Sequence, residues 1–308
     1  MGVGHSHDHT DRVDDALRDS AAGIRAVKIS LVILGATAAA QLIVVAVSGS
    51  VALFADAVHN FSDALTAVPL WIAFAMSRRP ATRRYTYGFG RVEDLAGLFV
   101  VTAIAVSALV AAVQAVRRLV DPVPLNHLGW VVAAGIIGFI GNEVVALYRI
   151  RVGRRIGSAA LRADGMHARA DGLTSLAVVA GAVGVWLGFP LADPIVGLVI
   201  AGAIGVVLVI AARDVFGRLL DRIDPGYLDT ARTVLSRQQG VRGVRRVRMR
   251  WIGHRLEADT ELDVDPSLSL ADAHAVAHAA EHELAHAIPK LGSVVVHAYP
   301  AHEPIVNS

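Results

Sequence analysis

Two segments of the sequence carry the same arrangement of histidine and aspartate, ADAVHNFSDAL at 55–65 and ADGMHARADGL at 163–173. Both follow the pattern A-D-x-x-H-x-x-x-D-x-L, in which a histidine stands four residues before an aspartate. On an α-helix, residues four apart project from the same face. Zinc binds such nitrogen and oxygen donors in tetrahedral sites, and Co(II) is chemically close. The sequence therefore predicts a four-ligand metal site made of His59, Asp63, His167 and Asp171.

Each segment also begins with an aspartate three residues before its histidine, Asp56 in the first and Asp164 in the second. If the two helices pack antiparallel in a membrane, Asp56 lies toward the outside and Asp164 toward the inside. These two acids could mark opposite mouths of a pathway, or they could be structural; the sequence leaves both interpretations open. For the inner histidines and aspartates, two copies on separate helices favour a metal site over a structural hydrogen-bonded pair.

The elements that hold these residues are apolar. The chain has 308 residues, of which 54% are hydrophobic and 18% charged, and its mean hydropathy is +0.52. Soluble domains are typically about 45–50% apolar and about 25% charged. An ionisable residue inside a membrane costs several kcal/mol unless it is paired or faces a wet cavity. The chain contains no cysteine, so any metal site must use His, Asp and Glu.

Six apolar runs are each long enough to supply the ~20 residues of a membrane-spanning helix. They are Ala26–Val47, Val51–Ser77, Val92–Val116, Leu128–Ile150, Ser158–Leu187 and Pro194–Ala212. Basic residues in short loops mark the cytoplasmic side, and they follow the second and fourth runs, which predicts cytoplasmic N- and C-termini. These loop arginines are Arg78, Arg79, Arg83, Arg84, Arg149, Arg151, Arg154 and Arg155.

Composition divides the chain into three parts. Residues 1–24 are expected to be a disordered cytoplasmic tail, residues 25–213 an all-α six-helix transmembrane bundle, and residues 214–308 a cytoplasmic α+β domain with the order α-β-β-α-β. The tail contains His5, His7 and His9. Such a short tract could capture zinc weakly, or it could be a solvated tail without a role.

The chain resembles the cation diffusion facilitators, a family of divalent-metal/proton antiporters. The resemblance rests on LFADAVHNFSDAL, RRYTYGFGRVEDLAGLFV, ADGMHARADGLTSLAVV, ADPIVGLVIAG and a soluble tail ending VVVHAYP. It implies that His59, Asp63, His167 and Asp171 are the transport site. In this family, histidine at the first of these positions goes with a preference for zinc, often with cobalt, over cadmium. The resemblance further implies a homodimer, a ferredoxin-like, metallochaperone-like cytoplasmic domain and export from the cytoplasm.

The same resemblance points to a second, regulatory zinc site in the cytoplasmic domain. His274 and His297 match its metal-binding positions, and Glu261 stands where many relatives have His or Asp. Arg245 and Tyr299 stand where some relatives have ligands, so one weaker site is expected rather than a binuclear one. The other histidines of the same helix, His278, His282 and His286, are interpreted as a solvated polar stripe.

Protons compete with a metal for neutral histidine and ionised aspartate, and imidazole titrates near physiological pH. The hypothesis is therefore alternating-access efflux of a divalent cation, zinc in the first place and cobalt or iron as alternatives, with protons as counter-ion. A bacterial inner membrane is the expected location, and no nucleic-acid motif is present. The protein is expected not to be an enzyme; the rival functions are a membrane metalloenzyme and a metal-sensing membrane protein.

Overall fold

The computed structural model describes residues 7–48, 67–120, 128–189 and 191–301. The chain divides into two compact units: one covers Asp19–Phe216, and the other combines the residues before Asp19 with those from Gly217 onward. The helices that lie wholly or mainly in the first unit are α1 (His7–Ser48), α2 (Ala67–Ser77), α3 (Arg91–Val120), α4 (Leu128–Ile156), α5 (Ala159–Trp186) and α6 (Ala192–Leu219). The second unit contains α7 (Pro225–Arg237), β1 (Val241–Ile252), β2 (Arg255–Val264), α8 (Leu270–Ala287) and β3 (Leu291–Pro300).

The first unit is a helical bundle of transmembrane character. Five of its described helices, α1 and α3–α6, contain stretches of 28 to 30 residues that are long and apolar enough to cross a membrane. α2 is apolar but has only 11 described residues. The second predicted span begins at Val51, so its first part lies outside the described residues. The predicted fold class, a helical membrane bundle followed by an α+β domain, is confirmed.

α1 begins earlier than its apolar composition suggests. The sequence predicts a disordered tail up to residue 24, but the helix begins at His7. Its buried face extends back through Ser20 and Gly23, in line with the buried Val27. A Cβ atom on Gly23 would lie within 2.9 Å of the Phe74 ring of α2. Since small residues form this end of the buried stripe, hydropathy alone does not reveal it.

α4 and α5 form a tight antiparallel hairpin. Gly157 ends α4 with φ = +79°, a conformation that residues with a Cβ rarely adopt. Ser158 follows at once as the N-cap of α5, and its hydroxyl oxygen accepts a hydrogen bond from the Leu161 amide at 3.0 Å. This short connection fixes which residues of the two helices face each other.

Glycines let these two helices approach closely. A Cβ on Gly135 of α4 would lie 2.6 Å from Cγ2 of Val179, and one on Gly165 of α5 would lie 3.0 Å from the backbone nitrogen of Ile150. Neither position has room for a larger residue without a shift of the helices. At these glycines the backbones of α4 and α5 therefore lie close to each other.

The second unit is a three-stranded sheet with two helices on one face. β1 and β2 are antiparallel, β2 and β3 are parallel, and the strand order is β1-β2-β3. Asp224 caps α7 and Pro225 opens it, as its sequence predicts. Ser269 caps α8 by accepting a hydrogen bond from the Asp272 amide at 3.2 Å. The core lies between the helices and the sheet, around Leu235, Leu256, Leu262, Leu284 and Ile288.

The other face of the sheet is lined by charged residues. Along β2 the buried side chains alternate with Glu257, Asp259, Glu261 and Asp263. Arginines of β1 pair with several of these acids across the strands. The ion pairs at this side of the sheet are Arg250–Glu257, Arg246–Glu261, Arg245–Asp263 and, at its end, Arg242–Asp265. Most of the positive charge of β1 is thus balanced by acids of the same domain.

Candidate metal site

α5 carries His167 and Asp171 on one face, and both side chains are buried, with 3% and 10% exposure. Nδ1 of His167 lies 3.6 Å from Oδ1 of Asp171. Two ligand atoms on one tetrahedral zinc ion lie roughly 3.3 Å apart when the bonds are about 2.0–2.1 Å long. The pair therefore needs only a small adjustment to hold a single ion between its two side chains.

The matching half of the predicted site, His59 and Asp63, lies in residues 49–66, outside the described part of the chain, and so does Asp56. Among the residues that the structure describes, no group of three or more His, Asp or Glu side chains is placed to hold a metal. The described chain thus supplies two of the four predicted ligands, on one helix and one turn apart.

Asp164, one turn before His167, is held by an arginine of the neighbouring helix. Nη1 of Arg149 in α4 lies 2.9 Å from Oδ2 of Asp164, and the two side chains are 3% and 0% exposed. The sequence predicts Arg149 in a cytoplasmic loop, but α4 continues past it to Ile156. An arginine buried in an apolar bundle needs an opposite charge beside it, and the α4–α5 turn brings Asp164 to that position.

Two further acids of the bundle also pair with arginines. Glu143 of α4 accepts two hydrogen bonds from Arg169 of α5, at 2.6 and 3.2 Å. Asp193, in the first turn of α6, accepts two from Arg118 in the last turn of α3, at 2.8 and 3.1 Å. Each member of the second pair lies at the helix end whose dipole favours its charge. These contacts give both acids structural partners.

In the second unit, the structure brings together two of the three predicted ligands. Glu261 and His297 are directly paired across β2 and β3 on the charged side of the sheet. Glu261 is also in an ion pair with Arg246. His274 is exposed on α8, and α8 covers the opposite face of the sheet. Within one chain these three residues therefore do not form a common site.

The two departures from the expected ligand pattern contact each other. The Arg245 guanidinium lies over the Tyr299 ring, 4.9 Å from its centroid. Arg245 also pairs with Asp263 and donates a hydrogen bond to the Pro300 carbonyl oxygen at 3.1 Å. At these two positions the chain therefore has a cation–π contact between the outer strands β1 and β3, across β2.

The predicted histidines of the tail are only partly described. His7 and His9 lie in the first turn of α1, and His5 lies outside the described residues. A tract at the start of a helix has a defined backbone, unlike the mobile tail that the sequence predicts. Metal capture by these three histidines stays a prediction.

Comparison with known proteins identifies the family. The family described as "Cation efflux transmembrane domain" matches residues 27–220, and "Cation efflux protein, cytoplasmic domain" matches residues 224–301. A "Probable cation efflux system protein" of Mycobacterium tuberculosis is 66% identical over 297 residues, covering 96% of this chain and 90% of its own length. The chain belongs to the cation diffusion facilitator family.

More distant relatives are similar over most of the chain. "Cation-efflux pump FieF" of Serratia proteamaculans is 30% identical over 258 residues, which cover 82% of this chain and 84% of that protein. "Magnetosome protein MamB" of Paramagnetospirillum magneticum is 27% identical over 255 residues, which cover 82% of this chain and 86% of that protein. The solved structure named "MamM-CTD 215-293" is 27% identical in sequence, and the match covers 25% of this chain and 98% of that one. Its TM-score is 0.25.

Membership of the cation diffusion facilitators confirms the predicted resemblance. The protein is a multi-pass membrane protein that exports divalent metal cations. This conclusion agrees with the apolar helices of the first unit and with the His–Asp pair buried in α5.

One further pattern of this cation diffusion facilitator lies in α8 of the second unit. Residues 282–286 read H-E-L-A-H and match H-E-x-x-H, which places two histidines one turn apart on a helix as in zinc sites. The predicted polar stripe, with histidines every four residues, contains this shorter pattern. His282 and His286 are both exposed, and their ring centroids lie 4.4 Å apart.

Proposed function

We propose that this cation diffusion facilitator exports zinc in exchange for protons, with cobalt and iron as lesser substrates. The transported ion would bind to His59, Asp63, His167 and Asp171. The observation that carries this proposal is the buried pair on α5, in which Nδ1 of His167 and Oδ1 of Asp171 are 3.6 Å apart. The sequence repeats the same spacing at His59 and Asp63, which supplies two further ligands of the same kinds.

The chemistry of these ligands couples the metal to protons. A neutral imidazole and an ionised carboxylate bind the metal, and protonation of either removes its lone pair from the metal. Protons arriving from the outside would therefore release zinc there. Deprotonation on the cytoplasmic side would restore the site for the next ion, so that a proton gradient drives export.

The same proposal includes an acid on either side of the transport site. We infer that Asp56 and Asp164 mark its outer and inner mouths, in a bacterial inner membrane with both termini in the cytoplasm. Arg149 balances the charge of Asp164 when no metal is near. A cation approaching Asp164 would have to compete with that guanidinium, which would limit how long it stays there.

The homodimer belongs to the same proposal. A regulatory zinc site that uses Glu261, His274 and His297 needs two copies of the chain, since one copy places His274 on the other side of the sheet from His297. A second chain could bring its own α8 to the charged side of the first. Arg246 would have to leave Glu261 for such a site to form.

Transport into vesicles tests the proposal. The purified protein is reconstituted into liposomes with an acidic lumen and a fluorescent metal indicator, and Zn²⁺, Co²⁺, Fe²⁺, Mn²⁺ and Cd²⁺ are added outside. We expect Zn²⁺ to be taken up fastest, with alkalinisation of the lumen, and uptake to fall to the level of empty liposomes in His167→Ala and Asp171→Asn.

His278→Ala is the matched control, because it removes an exposed histidine outside the membrane unit. It should transport zinc at the unaltered rate. Uptake at that same rate by His167→Ala would disprove the site, and zinc uptake without proton movement would disprove the antiport. A metalloenzyme or a sensor would move no metal in any of these vesicles.

A further inference from the structure

The C-terminal half of α8 presents two histidines to solvent. His282 and His286 are four residues apart, both are exposed, and their rings stand nearly perpendicular with centroids 4.4 Å apart. The opposite side of the helix is anchored in the core through Ala277, Ala280 and Leu284. The backbone that carries the two imidazoles is thus fixed by packing.

This spacing suits chelation of one ion by two imidazoles. With metal–nitrogen bonds of about 2.0–2.1 Å and bond angles between square-planar and tetrahedral, the two ring centroids lie roughly 4.5–5.2 Å apart. The 4.4 Å between His282 and His286 is close to the lower end of that range. Small rotations of two exposed side chains bring both nitrogens to a common ion.

The electrostatic surroundings also favour a cation here. α8 ends at Ala287, so both histidines lie near the negative end of its dipole. Glu283 lies between them in sequence and adds a negative charge that is exposed on the same turns of the helix. The helix dipole and the Glu283 carboxylate would both stabilise a divalent ion held by the two imidazoles.

We propose that His282 and His286 form a metal-binding site on the cytoplasmic domain, separate from the transport site, for a borderline divalent transition-metal ion such as Zn²⁺ or Ni²⁺. Among the described residues no third His, Asp or Glu completes a cluster with them. Water therefore fills the remaining coordination positions of the ion. With only two protein ligands, the site binds metal reversibly and differs from the three-ligand centres of zinc hydrolases.

The first half of the same helix provides a comparison. His274 and His278 have the same spacing, but their rings are stacked in parallel with centroids 6.2 Å apart. His278 also has Glu281 beside it, with Nδ1 to Oε2 at 3.3 Å. This pair is farther from the helix C-terminus and more widely separated than chelation requires. His278 is therefore the matched control.

The experiment is histidine footprinting of the full-length protein with diethyl pyrocarbonate, resolved residue by residue by mass spectrometry at increasing NiCl₂ and, separately, ZnCl₂. We expect His282 and His286 to become protected together, at the same metal concentration. In His286→Ala, the metal concentration that protects His282 should rise by at least about tenfold. Loss of a residue that only supports a ligand lowers metal affinity about 10–100-fold, and loss of a ligand itself should lower it at least as much.

His278→Ala should leave the protection of His282 and His286 unchanged, and so should His167→Ala, which alters only the proposed transport site. The unchanged reactivity of His278 in His286→Ala verifies that the helix is still folded. The site would be disproved if metal left His282 reactive, if His282 stayed equally protected in His286→Ala, or if His278→Ala weakened the protection as much as His286→Ala. None of these results depends on transport.

Discussion

Arg149 and Asp164 in the helical bundle form the same kind of ion pair as Arg246 and Glu261 on the sheet, in opposite surroundings. The side chains of the first pair are 3% and 0% exposed, whereas those of the second are 49% and 19% exposed. In the bundle each charge depends on its partner, because no water replaces a lost contact. On the sheet, water solvates whichever charge is left. The same pairing is therefore structurally necessary in one unit and weakly stabilising in the other.

Replacement of Arg149 by methionine should have the largest effect on stability. It leaves the Asp164 carboxylate buried without its partner, and the loss of one member of a buried pair costs about 3–5 kcal/mol. We expect a large fall in the midpoint of thermal unfolding of the detergent-solubilised protein, or no folded protein at all.

The double variant Arg149→Met, Asp164→Leu separates pairing from transport. Because it removes both charges, it should recover most of the lost stability. If Asp164 marks the inner mouth of the route, the double variant is folded but transports zinc more slowly. Equal instability of the single and double variants would contradict the idea that an unpaired buried charge is the cause.

Replacement of Arg246 by alanine should have a much smaller effect. Exposed ion pairs contribute about 0.2–1 kcal/mol and are screened by salt. We expect a small decrease in the free energy of unfolding of the cytoplasmic domain, which disappears in high salt. Arg250→Ala, which removes the neighbouring pair with Glu257, is the matched control and should behave alike. A loss above about 2 kcal/mol would contradict the comparison, since it exceeds what exposed pairs contribute.

Asp265 should show the smallest effect, which is present at neutral pH and lost in acid. The side-chain and backbone hydrogen bonds from Ser267, with a further contribution from Arg242, lower the pKa of its carboxyl group. A carboxyl whose pKa is lower in the folded state stabilises the fold above its unfolded pKa of about 3.9, and this contribution is lost as the pH falls through the folded pKa. The stability difference between the wild type and Asp265→Asn should therefore shrink as the pH is lowered below about 4. A difference that does not change with pH would show that ionisation of Asp265 is not linked to folding.

The sequence predicts the elements much better than it predicts their partners. Apolar runs of sufficient length identify the long helices, and alternation with turn residues identifies the three strands, because both signals are local. The His167–Asp171 pair is predictable for the same reason, since a spacing of four on a helix determines a shared face. Which residues of α4 face α5 depends on the turn at Gly157, so the partner of Asp164 could not be derived.

Two misinterpretations have physical causes. Arg149 is charged and stands close to a cluster of arginines, which favours a loop, although it is buried in α4. Hydropathy does not indicate the early start of α1, because its buried residues Ser20 and Gly23 are small and contribute little hydropathy. In both cases the surroundings of the residue, which a single sequence does not contain, decide its place.

The glycines between α4 and α5 have a mechanical consequence. At Gly135 and Gly165 a Cβ atom would clash with the facing helix, so the two helices are in close contact along their length. We expect such a hairpin to move as one body, with His167 fixed to it. In the proposed alternating-access cycle, we expect the other helices to move past this hairpin. Substitutions at their contacts with α5 should therefore change the transport rate without changing metal affinity.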